Sequence, residues 1–406
     1  LGAGETLAEI FNGEHLLPAL PLWLFFRHLT RSRLAPEVRW EDPPLRACLL
    51  VDDPNLRSTR YGHIDYQVLA RQAREWRFHV AMATIPLDQW SVSPRARQLF
   101  ATHREHLSLV IHGHTHARAE LARCATPEAC RQLVAGAIRR ILAAEQRFDL
   151  AIDRVMVPPH GEVNEAMLAA LARGEVEAVA TNRWSLWRHI APAALGPAAE
   201  WAPAIWRGGL PIVHRYRFAS PIAKQEALFA ALTGRPILPY GHHQDFRDAA
   251  VVRRAVAEVN ALGAVDWGPM RAVLERNYRH RNSGGRLVVR PYSRRVVVAL
   301  PPDVDELQVD GPGGRVAIRW VGGETAARPL GPGAWLRPAG AREVEIRCGG
   351  APAMATADEA AERIPVALRL RRLAAELRDR CLLGGAALGP AAEDFGQAVR
   401  LALAFS

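Results

Sequence analysis

In the stretch Leu107-Ser108-Leu109-Val110-Ile111-His112-Gly113-His114-Thr115-His116, an apolar run that reads as a buried strand ends in a cluster of three histidines. The same form recurs between residues 45 and 270. Ala47–Val51, Val80–Ile85, Val155–Val157, Val176–Ala180, Pro211–Val213, Ile237–Leu238 and a weaker Ala264–Val265 are short apolar runs with amphipathic stretches between them. Tyr66, Leu69, Ala73 and Trp76 share one helical face, and Leu133, Ala137 and Ile141 form a stripe within Cys130–Ala144. Asn164 is placed to cap a helix over Glu165–Arg173, and Ser220-Pro221 opens another that Gly234 follows. Seven or eight βα units of this kind imply a parallel sheet with helices outside it.

The ends of the runs choose between an open sheet and a closed ring. Val51 leads into Asp52-Asp53, Val157 through Pro158-Pro159 into His160, Ala180 into Thr181-Asn182, Val213 into His214, and Tyr240-Gly241 into His242-His243. Parallel strands present their C-terminal ends at one rim, which is where barrel enzymes keep their chemistry. An open sheet gathers such groups at one switch point only. The expectation is therefore a distorted (β/α)7-8 barrel over residues 45–280.

The flanking segments differ in character. Residues 1–44 read as a helical or irregular lead-in. Arg286–Arg290, Arg295–Leu300 and Arg315–Trp320 are β-rich, with the turn Asp310-Gly311-Pro312-Gly313-Gly314 among them, and predict a small all-β appendage over 285–350. Residues 356–406, with Ala361–Arg380 rich in Ala, Leu, Arg and Glu, read as a helical tail.

A chain of 406 residues, 49% hydrophobic and 23% charged, is long enough for a large core and is not disordered in composition. The formal charge of +10 invites a nucleic-acid reading. Against it, Lys224 is the only lysine, and the arginines are scattered with few aromatics among them, so no nucleic-acid partner is expected. Cys48, Cys124, Cys130, Cys348 and Cys381 are too few and too irregular for a disulfide scaffold, and no C-x-x-C zinc ribbon is present. Leu16–Phe26 is apolar but too short to span a bilayer, so no transmembrane segment is expected. Localisation stays open, leaning to the cytoplasm, with a removed leader compatible with a sequence that opens on Leu1.

A divalent ion needs carboxylate or imidazole ligands brought together with a position left for water. Asp52-Asp53 and His112-x-x-x-His116 supply such a set. One carboxylate can bind the ion while the other takes a proton from water, and Gly113 permits the turn that lets both histidines approach one point. The bland readings are a capping loop for Asp-Asp and a hydrogen-bonded core role for each histidine. Several such elements on one rim favour a site.

In order and spacing, Asp-Asp, His-x-x-x-His, Pro158-Pro159-His160-Gly161 and a late His after a strand resemble a divergent branch of the polysaccharide deacetylases of the carbohydrate esterase 4 type, over residues 45 to 250. The resemblance implies a distorted (β/α) barrel and removal of acyl groups, N-acetyl above all, from a carbohydrate. It implies Asp52 as catalytic base, Asp53, His112 and His116 as metal ligands, and His242 or His243 as the acid. The turn carrying Pro159, His160 and Gly161 would hold the oxyanion through a backbone N–H. Pro54, Gly113, Val157 and His160 depart from the family pattern. The arginine usual before the Pro-Pro turn is missing, and Arg154 is the nearby candidate to serve Asp52. Zinc is the default ion for this ligand set. His114 and His214 are candidates to contact substrate, as are Trp184, Trp187 and Trp206 for stacking on sugar rings; His63 has no assigned role. Three rivals remain. His112-Gly113-His114-Thr115 also resembles the H-x-H-T of polymerase and histidinol phosphatase type phosphoesterases. An amidohydrolase would need a barrel lysine, but Lys224 falls in a helix. A glycan-binding scaffold without catalysis is the third.

Overall fold

The computed structural model describes residues 39–191, 201–311, 315–322 and 328–349, with 21, 24, 25, 27–29 and 33 before them and 367, 368, 370, 372 and 374 after. Most of the expected 1–44 segment and of the 356–406 tail lies outside these residues; the described positions from 367 to 374 are helical. No helix among the described residues is long and apolar enough to cross a membrane.

Eight strands run parallel in a mixed α/β core: Tyr216–Arg217, Pro239–Gly241, Leu49–Asp52, Val80–Thr84, Leu107–His112, Ile152–Val157, Ala178–Thr181 and Leu210–His214, in that spatial order. Their side chains alternate between two buried faces, as parallel strands covered on both sides require. Leu49, Val51, Met82, Leu109, Ile111, Met156, Val179 and Ile212 pack outward against the helices. Leu50, Ala81, Ala83, Val110, Val155, Ala178, Ala180 and Val213 share the other face, where Met270, Val273 and Leu274 of the Met270–Glu275 helix join them. Alanines recur on that second face, and small side chains leave room for the sheet to curl.

The ladder does not close into the expected (β/α)7-8 ring. It runs open from Tyr216–Arg217 at one edge to the antiparallel Ile205–Arg207 at the other. The chain itself bridges the two flanks. Leu210–His214 pairs with Ala178–Thr181, and Tyr216–Arg217 pairs with Pro239–Gly241. The change of partner falls at Arg215: its N–H bonds the Thr181 carbonyl at 3.0 Å, and the next N–H, of Tyr216, bonds the Leu238 carbonyl at 3.1 Å.

The helices follow their capping signals. Asp65 accepts from the N–H groups of Gln67 and Val68 to start Tyr66–Trp76, and Thr126 with Pro127 starts Pro127–Phe148, longer at both ends than the apolar stripe predicts. Asn164 accepts from Met167 N–H to start Glu165–Arg173. The weak Ala264–Val265 run is not a strand; Asp266–Trp267 pairs instead with Arg46–Ala47.

Beyond these, Tyr278–Ser283, Arg286–Pro291, Glu306–Val309, Ala334–Leu336 and Arg328–Gly331 form one sheet, and Arg295–Ala299, Glu343–Cys348 and Val316–Val321 another. Leu287, Val289, Val296, Leu307, Trp320 and Ile346 are among the residues of their shared core. On the second sheet Glu345, 4% exposed, takes Arg295 at 3.0 Å, Arg319 at 2.6 Å and Arg347 at 2.7 Å. Burial would raise its pKa, but the three guanidiniums hold it down to about 2. A depressed carboxylate contributes stability that is present above its unfolded value and lost as pH falls through the folded one. Glu345→Gln should therefore destabilise the protein by about 1–3 kcal/mol at neutral pH, since two of the three arginines are solvent-facing. The deficit should shrink as pH is lowered from about 4 towards 2. Denaturant melts of both proteins across that range check this; a deficit independent of pH would refute it.

Candidate metal centre

Three acceptor atoms converge where the Leu49–Asp52 and Leu107–His112 strands end. The Oδ1 atom of Asp53 lies 2.9 Å from Nε2 of His116 and 3.3 Å from Nε2 of His112. One ligand atom from each residue falls within 4.8 Å of the others. His112 is buried, and its Nδ1 is 2.8 Å from the Val157 carbonyl. A carbonyl only accepts, so Nδ1 carries the proton and Nε2 points its lone pair at Asp53. No hydrogen-bond donor reaches Asp53 Oδ1. Two ring nitrogens facing one buried carboxylate oxygen are satisfied either by ring protons or by a cation between them. One carboxylate and two imidazoles are a donor set that suits a divalent ion with a further position open. The donor set and the orphaned oxygen fit a metal. Burial opposes ionisation of Asp53, but the two histidines hold its carboxyl well below the usual range.

The backbone is strained where these ligands sit. Six described residues other than glycine have positive φ, and three of them are Asp53 (77°), His116 (61°) and His160 (59°). Each such conformation costs about 1–3 kcal/mol and persists only when its surroundings fix it. For His116 the fixing group is Glu120. Its buried carboxylate accepts the N–H groups of His114 at 2.6 Å, Thr115 at 3.0 Å, His116 at 3.1 Å and Ala117 at 3.3 Å, and the Thr115 hydroxyl at 2.6 Å. A whole turn of backbone is wrapped round one anion. Gly113, at φ 62°, is held tightly on its inner side: a Cβ there would lie 2.2 Å from Glu120 Oε1 and 2.5 Å from Pro159 Cγ.

Asp52 turns to different partners. Its Oδ1 accepts from Arg215 at 2.6 Å, and its Oδ2 is 3.9 Å from Nε2 of His242. Burial would raise its pKa, but Arg215 first, and His112 after it, bring it below the usual carboxylate value. Arg215 also lies over the Tyr240 ring at 4.1 Å. The expected service from Arg154 is not found: that side chain pairs with Glu145 at 2.6 Å. Arg215 and Glu120 are the two site residues that the sequence reading missed. The only signal for Arg215 is its position as the first charged residue after a run ending in His214. For Glu120 no signal stands out.

The two late histidines separate. His242 is half-exposed beside Asp52, whereas His243 is buried, edge-on to Tyr61 at 5.3 Å and stacked on His63 at 5.9 Å. His160 lies 5.2 Å from His116, ring to ring; burial, with His116 and His112 nearby, lowers its pKa. In its turn the Gly161 N–H is taken by the Pro158 carbonyl at 2.9 Å, and prolines have none, so His160 carries the remaining N–H. His114 stands outside the cluster: it is 1% exposed, and its Nε2 accepts from Arg140 at 3.2 Å. So covered, its ring is turned away from the Asp53–His112–His116 cluster, and His112 and His114 do not converge on one point there. Lys224 is exposed on the Ala223–Leu232 helix, which is not where an amidohydrolase needs it. His214 ends its strand next to Arg215 at a small cavity, with the exposed Trp184 nearby. Trp187 packs edge-on to Trp184, and Trp206 packs against the core of the β-rich sheets.

No protein-family model matches the sequence, and no curated protein matches it. Solved structures do. A Mycobacterium smegmatis protein assigned as a polysaccharide deacetylase aligns at 15% identity and a TM-score of 0.37, over 58% of this chain and 91% of that one. This chain is similar to polysaccharide deacetylases. A family 4 carbohydrate esterase from Streptomyces lividans, in complex with acetate, aligns at 11% identity and a TM-score of 0.33, over 56% and 94%. A lactam utilization protein from Thermus thermophilus aligns at 15% and 0.35, over 55% and 99%. At such identities and TM-scores nothing about substrate or activity passes from them to this chain.

Gly113→Ala should lower stability by more than about 1 kcal/mol, because the new methyl meets both positive φ and the Glu120 carboxylate. Glu120→Gln should cost about 1–3 kcal/mol, since an amide NH2 would face N–H donors. Thermal melts of the two variants beside the parent test both; melting points equal to the parent would show that the Glu120 turn is not what holds His116.

Proposed function

We propose that the chain is a metal-dependent hydrolase that removes acyl groups, N-acetyl groups on a carbohydrate foremost. The observation that carries the reading is the division between adjacent carboxylates: Asp53 faces His112 and His116, while Asp52 faces Arg215 and His242. A divalent ion held by Asp53, His112 and His116, for which zinc suits the donor set, would polarise both a water molecule and the acyl oxygen.

The chain's own residues supply the rest. Asp52, kept ionised at neutral pH by Arg215, takes the proton of the attacking water through Oδ2, the oxygen not held by Arg215. The His160 N–H would donate to the oxyanion. His242, whose Nε2 lies 3.9 Å from Asp52 Oδ2, gives its proton to the leaving nitrogen. His243 lies in the packing beneath and takes no part in the chemistry. Trp184, exposed on the same rim, offers a face for a sugar ring. The Arg183–Trp187 helix that carries it starts at Asn182, whose side chain caps it.

Metal content of the purified protein tests the reading first. About one divalent ion per chain is expected in the parent, and none in His112→Ala or Asp53→Ala. Absence of metal from the parent even after zinc is supplied would refute it. With the ion in place, acetate release from acetylated sugars should fall roughly 100-fold or more in Asp52→Asn and in His242→Ala. His243→Ala should lower the melting temperature while changing the rate far less. Arg215→Gln should move the acid limb of kcat/KM to higher pH, because Asp52 then loses the cation that lowers its pKa. An unmoved limb would take the base role away from Asp52.

A further inference from the structure

Asp88 is a buried carboxylate apart from the Asp52–Asp53 pair, and three parts of the chain meet on it. It belongs to the short Pro86–Trp90 helix that follows the Val80–Thr84 strand. That strand pairs on one side with Leu49–Asp52 and on the other with Leu107–His112, so the helix emerges between the two strands that lead into the metal ligands. It is tied to the histidine turn, where the Leu87 N–H donates to the His114 carbonyl at 3.0 Å. It is tied also to the loop after Asp53. Arg57 of that loop reaches Asp88 Oδ1 at 3.3 Å, and just past the helix the Ser93 N–H donates to the Leu56 carbonyl at 2.7 Å.

The third part comes from far along the chain. Positions 367, 368, 370, 372 and 374 are helical. Leu368 and Arg372, four apart, share a helical face. Leu368 packs on Ile85 and Leu87, and Arg372 reaches Asp88 Oδ2 at 2.5 Å. Leu370, between them in sequence, is 60% exposed. Arg57 and Arg372 thus take different oxygens of Asp88, and both oxygens are engaged only when the distant helix is seated. Burial opposes the charge on Arg372, but Asp88 first, then Tyr61 and Asp53 at longer range, raise its pKa. Stability alone does not call for an ion pair in such a place, since a well-packed apolar pair would serve as well; what the ion pair adds is a fixed position. We propose that Arg372 is a positioning residue: through Asp88 it holds together the two loops that carry Asp53, His112 and His116, which makes the helix at 367–374 part of the metal centre. That the ordered loops hold a metal rests on the function proposed above; that the helix orders them does not.

The test is hydrogen exchange and zinc titration of the full chain, in the parent and in Arg372→Gln, Arg372→Lys, Leu368→Ala and Leu370→Ala. Without metal, Arg372→Gln should speed exchange over residues 86–90 and 112–117 and leave residues 178–181 as in the parent. With zinc alone as the probe, Arg372→Gln should bind about tenfold more weakly, the loss expected when a group that orients metal ligands is removed. Arg372→Lys keeps the charge and should recover much of that loss. Leu368→Ala loosens the same helix without removing a charge and should move both readouts in the same direction as Arg372→Gln. Leu370→Ala, on the exposed side, should match the parent. A helix that only adds stability would lower the melting temperature of Arg372→Gln and leave zinc affinity, measured well below that temperature, unchanged. That result, or exchange over 112–117 equal to the parent in both Arg372→Gln and Leu368→Ala, would overturn the proposal. A parent that binds no zinc, yet whose exchange over 112–117 responds to Arg372→Gln, would refute the metal reading and leave the helix as what orders the histidine turn.

Discussion

The convergence of Asp53 Oδ1 with Nε2 of His112 and His116 is the arrangement on which the site depends, since a carboxylate oxygen and two ring nitrogens at such distances either share protons or hold a cation between them. Two devices hold the histidines there. The Val157 carbonyl takes the Nδ1 proton of His112, which fixes the ring's tautomer and direction. Glu120 collects the N–H groups of residues 114 to 117, which fixes the left-handed turn at His116. The first comes from the last residue of the neighbouring strand and the second from the helix Glu120–Arg123 that follows the histidine turn. Strain of about 1–3 kcal/mol at His116 is thus matched by satisfied hydrogen bonds, which is how local strain survives at a functional position.

The sheet contributes the distances. Parallel pairing puts Gly241 beside Val51, Asp52 beside Ala83, and His112 beside Val157, so the groups that follow these residues emerge at one level. Alanines on the inner face let the strands curve. At Arg215 the chain leaves one neighbour for another, and there the side chain is released from ladder geometry to meet Asp52. The open ladder and the arginine are one feature: a strand paired continuously on both sides would hold position 215 within the ladder.

What could be read from the sequence follows from period and position. The run Leu107–Ile111 and its histidines, the Asp-Asp after Val51, the cap at Asn164 and the Ser220-Pro221 opening are local signals, and the strands and helices stand within a few residues of them. Ring closure is not local, and the runs carried no mark of where the chain changes partner. Arg154 is near the Pro-Pro turn in sequence, whereas the arginine that reaches Asp52 comes from the junction of two other strands, 163 residues away. Strand alternation extended past Ile111 would put His114 on the same side as His112 and His116. Positive φ at Gly113 and His116 ends that alternation, and the ring turns to Arg140 instead. His242 and His243 are adjacent in sequence, and only the onset of the His243–Arg247 turn puts them on opposite sides.

The two aspartates show how one backbone angle sorts the chemistry. Asp52 is the last residue of its strand and keeps its side chain among buried neighbours, where a guanidinium is the only partner strong enough to offset desolvation. Asp53, at φ 77°, leaves the strand direction altogether and brings its carboxylate to the histidines of the neighbouring loop. Had Asp53 continued the strand, it would face the sheet side opposite Asp52 and meet neither histidine. With the turn, two identical side chains, one peptide apart, come to differ in partner and in task. The Arg215 cation lowers the pKa of the first, and the imidazole lone pairs make the second a site for a cation.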